Sequence, residues 1–145
     1  MSKLIVTRAI TLTQPWATLM AIGAKKNETR GWSTSYRGWL AIHAAKAYPQ
    51  DCQLLRYQEP FATALRNHGL LPRGYVLAVV NLTDCVKTDG ALGQVPEPEF
   101  SFGDYSDGRY AFITNGCGQL REPIEMRGML SIWKMPRSIT EADLR

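Results

Sequence analysis

Polar and apolar residues alternate over residues 8–13, with Arg8, Ile10 and Leu12 on one side and Ala9, Thr11 and Thr13 on the other. That period of two predicts a short strand with one buried face. The period then lengthens: Trp16, Leu19 and Met20 recur at helical spacing behind Pro15, which suits a first helical position, and Gly23 stops the helix in a left-handed conformation. Residues 25–31 are polar and fit either a turn or an edge strand. From Trp39 to His43 the chain is almost continuously apolar, which predicts an inner strand covered on both faces. Pro60 interrupts the apolar positions of residues 51–67, so two short helices are expected there rather than one. Residues 74–84, rich in Val and Leu, predict the strongest and most central strand. Residues 87–104 carry three glycines and two prolines with few aliphatics and predict a long surface loop of the kind that often holds functional groups. Further strands are expected over residues 110–114, 119–124 and 129–134. Short helices scattered among uneven strands, with no internal repeat, favour an α+β or small-barrel architecture over a doubly wound sheet.

A chain of 145 residues, 45% hydrophobic, is long enough for an ordinary core, and one domain over residues 1–145 is expected. Seventeen Lys and Arg against thirteen Asp and Glu give a formal net charge of +4, which leans toward polyanionic partners. Cys52, Cys85 and Cys117 lie far apart without the spacing of a zinc site, so no metal is expected and a reducing, cytoplasmic setting fits best. No stretch approaches the length and apolarity of a membrane helix, and no membrane partner is expected. The dinucleotide and Walker-type glycine loops are absent, which disfavours nucleotide cofactors, and no cofactor is expected. Nothing in the sequence sets the oligomeric state, and a monomer is the default.

The chemistry concentrates between Gln14 and Gly38, where Trp16, Lys25, Lys26, Glu28, Arg30, Trp32, Tyr36 and Arg37 fall close together. In an extended segment Lys26, Glu28 and Arg30 share one face, so the carboxylate can orient its cationic neighbours. Cations beside aromatic rings suit RNA, because Lys and Arg neutralise phosphate while an aromatic ring stacks on an unpaired base. The plainer alternative is an exposed Glu28–Arg30 ion pair beside a core Trp32. Arg109 and Tyr110 follow a glycine turn at the mouth of a strand, where they either face a ligand or pack inside. His43, within an apolar strand, reads first as a core or rim histidine.

The segment QPWATLMAIGAKKNETRGW followed by YRGWLAIHAAK resembles the ASCH domain, through the Q-P-W helix start and the G-x-K-x-x-E-x-R pattern met by Gly23, Lys25, Glu28 and Arg30. The resemblance continues in GRYAF and GMLSIWKMP and spans about residues 8–136, the expected core. It implies a PUA-like fold, a small mixed β-barrel flanked by short helices, with a basic cleft beside this pattern. It further implies a role in RNA metabolism, with RNA or a nucleotide-like ligand as partner and single-stranded DNA as the alternative. The expected nucleic-acid-binding set is Gln14, Trp16, Lys25, Lys26, Glu28, Arg30, Trp32, Tyr36, Arg37, His43, Arg109 and Tyr110. The rival reading is a small hydrolase, a ribonuclease or an amidohydrolase of a modified nucleoside, with Lys25 as base or nucleophile and Glu28 as proton shuttle. Some short ASCH proteins deacylate a modified cytidine with a Lys and a Thr of this pattern; Glu28 stands at the position of that Thr.

Overall fold

The structure is a computed structural model that describes residues 4–90 and 92–145. Its strands are β1 (Ile5–Leu12), β2 (Asn27–Arg30), β3 (Gly38–Ala44), β4 (Tyr75–Lys87), β5 (Tyr110–Glu125) and β6 (Ile132–Thr140). Three short helices, α1 (Trp16–Ala21), α2 (Gln50–Leu55) and α3 (Phe61–Ala64), lie between β1 and β4. This is the α+β class expected from the sequence. None of the described helices is long and apolar enough to cross a membrane.

All six strands form one sheet in the order β2-β5-β4-β3-β1-β6. The aliphatic run of β4 lies near its middle, fully buried from Val76 to Val80, as its composition demands. β1 and β3 are parallel, with Thr11 opposite His43, and their carboxyl ends reach the same end of the sheet. One face packs Ile10, Leu12, Ile42, Leu82 and Phe112 beneath α1. The other packs Val6, Val79, Trp133, Met135 and Ile139. A third cluster of Leu19, Phe61, Leu65 and Phe102 joins the helices to the loop before β5.

The sheet rolls. In a flat sheet β2 would stand roughly 19 Å from β1, four strand spacings away. Yet Arg30 Nη2 on β2 donates to the Thr11 carbonyl on β1 at 2.8 Å. Among the described residues β2 and β6 do not pair, so hydrogen bonding does not close the rolled sheet into a barrel.

Three elements differ from their sequence expectation. The strands expected over residues 110–114 and 119–124 are one long β5, carried through Gly116 by register shifts against β4 and a φ of 86° that suits glycine. The last strand begins at Ile132 rather than Met129, after Ser131 turns the chain with a φ of 60°. It then continues past Pro136, which an edge strand accommodates because one side of its backbone has no pairing partner. β1 starts earlier, at Ile5.

Candidate functional site

Beside the carboxyl end of β1 a hollow of about 370 Å³ is bounded by three pieces of chain. Thr11, Leu12, Thr13 and Trp16 come from β1 and the start of α1; Glu28, Thr29 and Arg30 from β2; Ser101, Phe102, Gly103, Asp104 and Arg109 from the segment that leads into β5. Roll of the sheet brings the first two together. The third is pinned by Phe102, which is buried against Leu19, Phe61 and Leu65. Gly103 is a steric requirement: a Cβ there would meet the Tyr105 ring at 2.8 Å and Thr29 Cγ2 at 3.3 Å. The Thr29 hydroxyl accepts the Asp104 backbone N–H at 2.9 Å and ties the segment to β2.

Two guanidinium groups face this hollow, and both are fixed before any ligand arrives. Arg30 donates through Nε to Glu28 Oε2 at 2.8 Å and through Nη2 to the Thr11 carbonyl at 2.8 Å. Arg109 donates through Nε to the Asp104 carbonyl at 3.1 Å and through Nη2 to the Thr29 carbonyl at 3.3 Å. Its Nε also lies 3.4 Å from the Asp104 carboxylate. Among the described residues neither Nη1 has a protein acceptor. Each group therefore retains one oriented N–H₂ for a ligand, with little rotamer entropy left to lose. Hydrogen bonds from Ser106 hold the Asp104 carboxyl below its ordinary value, so it stays anionic beside Arg109.

Lys25 occupies a different position from the one its motif suggests. It is 1% exposed and does not line the hollow. Its Nζ donates to the Asn27 carbonyl and, at 3.1 Å, to the Phe102 carbonyl, and lies 3.5 Å from Glu28 Oε1. Three oxygens thus surround three ammonium protons, and the lysine fixes Glu28 from behind while binding the end of the loop to β2. Gln14 is equally interior: it is completely buried, donates to the Pro72 carbonyl at 2.7 Å and accepts the Thr18 N–H at 3.0 Å, which caps α1.

Other expected residues divide in the same way. Trp16 lines the hollow and is braced edge-on by Phe61 at 6.4 Å. Trp32 packs edge-on to Phe112 at 5.1 Å and lies under the Arg30 guanidinium at 5.9 Å, which steadies that cation without lining the hollow. Tyr110 is half-buried against the α1 face of the sheet. The Tyr36 hydroxyl donates to the Trp39 carbonyl at 2.6 Å, and burial, opposed by Arg8, pushes its pKa up. Arg37 turns outward to the Thr34 and Tyr36 carbonyls and to Asp84 at 3.7 Å, and Lys26 is exposed away from the hollow.

His43 is 1% exposed and both ring nitrogens are engaged. The Thr11 hydroxyl accepts Trp133 Nε1–H at 3.0 Å and lies 3.1 Å from His43 Nδ1. The Met126 carbonyl can only accept, so the proton of neutral His43 sits on Nε2, which donates to it at 2.7 Å, and Nδ1 accepts from Thr11. Burial lowers the His43 pKa and the Met126 bond opposes it.

Thr11, Thr13, Thr29 and Asp104 line the hollow without having stood out in the sequence. The available signal for Asp104 was its place at the end of the glycine- and proline-bearing loop. No group of three His, Cys, Asp or Glu side chains among the described residues could hold a metal ion, and the three cysteines are free thiols.

Residues 10–114 match the family model described as the ASCH domain. The chain is similar to activating signal cointegrator 1 of Homo sapiens, 30% identical over 130 residues that cover 87% of this chain and 22% of that protein. It is also similar to activating signal cointegrator 1 of Mus musculus, 28% identical over 134 residues, 90% of this chain and 22% of that protein. The chain thus spans about a fifth of the length of these relatives.

Proposed function

The chain belongs to the ASCH domain family, and from that premise we propose that it is a single RNA-binding domain that takes one nucleotide unit of a single strand into the hollow at the carboxyl end of β1. One observation carries this reading: Arg30 and Arg109 face the same hollow, each anchored on two sides with one N–H₂ unspent. Such donors match phosphate or base-edge oxygens. Trp16 supplies a ring at the wall for stacking, and Glu28 an acceptor for an exocyclic amine or a ribose hydroxyl. At about 370 Å³ the hollow is at the small end of ligand sites, which run from about 300 to 1,000 Å³. That suits one splayed-out unit rather than a duplex.

Three cations, Lys25, Arg30 and Arg109, face two carboxylates, Glu28 and Asp104. Lys25 lies behind Glu28 and does not line the hollow, so the two arginines and two carboxylates that line it balance, and geometry rather than bulk charge is what it offers a ligand. The rolled sheet, bridged from β2 to β1 by Arg30, is read here as the PUA-like barrel in open form. For the hydrolase alternative, Glu28 is the member of the Lys25–Glu28 pair that lines the hollow.

Fluorescence anisotropy with a short single-stranded RNA, titrated at several salt concentrations, tests the proposal. Arg109→Ala is expected to cost about 1.5 kcal/mol, roughly tenfold in Kd. It should also flatten the logarithmic salt slope by about 0.7. An affinity indifferent to salt and to this substitution overturns the reading, and tighter binding of the matching single-stranded DNA assigns the hollow to DNA.

A further inference from the structure

Thr11 belongs to two hollows at once. Its carbonyl accepts Arg30 at the site just described, while its side chain turns through the sheet into a broader groove of about 850 Å³ on the opposite face. Lys46 and Arg73 stand on one wall of that groove and Arg127 on another, with Glu125 the acid among its lining residues. All three cations are exposed. Among the described residues none of them forms an ion pair or a side-chain hydrogen bond, although Arg73 lies over the Tyr48 ring at 5.9 Å. The contrast with the first hollow is chemical: there the cations are ion-paired and held by hydrogen bonds, whereas here none is ion-paired among the described residues and one carboxylate, Glu125, stands against three cations.

The wall that carries Arg127 is held in place. His43 Nε2 donates to the Met126 carbonyl, and Gly128 lies so close to the sheet that a Cβ would meet His43 Cε1 at 2.8 Å and Thr11 Oγ1 at 2.9 Å. A surface of three cations against one carboxylate, on a fixed frame that shares Thr11 with a hollow sized for one nucleotide, fits a polyanion that extends past that hollow. We infer that this groove is a second subsite, which takes the phosphate backbone of the same RNA strand where it leaves the hollow. The assignment rests on the reading given above, since it places the strand's neighbouring unit in the hollow. It divides the labour: the hollow selects a unit by oriented donors, and the groove adds affinity through charge without reading sequence.

The test compares a trinucleotide with a dodecanucleotide of single-stranded RNA on the wild type, on the triple variant Lys46→Ala, Arg73→Ala, Arg127→Ala, and on Arg109→Ala. All three groove side chains are exposed, and circular dichroism checks that the triple variant folds. The wild type is expected to bind the longer strand more tightly and with a steeper salt slope. In the triple variant that slope should fall by about 2, following about 0.7 per lost phosphate contact on a single strand, while trinucleotide affinity stays within twofold. Arg109→Ala should weaken both ligands. A slope for the long strand unchanged in the triple variant overturns the groove and leaves the hollow standing. Loss in the triple variant with no effect of Arg109→Ala overturns the hollow as the reading site and keeps the groove. An oligoglutamate of matching charge that competes as well as RNA assigns the groove to an acidic protein segment and overturns the inference, and a wild type that binds neither RNA overturns both.

Discussion

Lys25 shows what a buried charge does when its surroundings are complete. Its ammonium is enclosed by the Asn27 and Phe102 carbonyls and the Glu28 carboxylate, so its removal takes a donor from two carbonyls and one of two cationic partners from Glu28 at the junction of β2 and the loop. Lys25→Met is expected to lower stability by about 3 kcal/mol, near the low end for breaking a buried pair because Glu28 keeps Arg30 and some solvent. Urea denaturation measures this, and an unchanged midpoint would contradict the positioning role. His43 makes a prediction about pH. Its folded pKa is lowered by burial from the ordinary 6.5, so the unfolded chain binds the proton more readily. Its contribution to stability is therefore complete above the ordinary value and is lost as pH falls through the folded one. The urea midpoint should drop as pH falls below about 6.5, and the part due to this ring should vanish in His43→Gln. The motif Lys25, Glu28, Arg30 was legible as a cluster, and its order of depth was not. That order depends on the Phe102 carbonyl, contributed by a segment far along the chain whose approach no local pattern reveals.

At the scale of elements, the segment from Ser101 to Asp104 forms a wall of the hollow because one side chain anchors it. Phe102→Ala removes a ring packed against Phe61 at 5.0 Å and is expected to cost about 3–5 kcal/mol, within the usual range for a buried Phe. Because the same residue's carbonyl holds Lys25, RNA affinity should fall together with the thermal midpoint. A variant that loses stability but binds RNA as before would detach this loop from the site. The strand positions of β3 and β4 were legible, since continuous apolar runs leave a chain no choice but burial. β5 was read as two strands, over residues 110–114 and 119–124; the bulges that let one strand run through Gly116 and Gly118 are set by pairing with β4, which local sequence does not encode. Pro136 likewise suggests a strand's end, and only its edge position makes it tolerable.

At the scale of the whole molecule the sheet is rolled until β2 touches β1, and the consequence is a division between two faces of one sheet end. One holds donors already committed to the protein on two sides; the other holds three exposed cations with no ion pair among the described residues. The net charge of +4 pointed toward a polyanion without saying where it would lie. Only the placement separates fixed cations from free ones. The most direct measurement is the amide spectrum of the isotope-labelled protein as an RNA trinucleotide is added. The account predicts shifts confined to Thr11–Trp16, Glu28–Arg30, and the segment from Ser101 to Arg109, the three pieces of chain around the hollow. Shifts that spare these residues and gather elsewhere on the surface would contradict it.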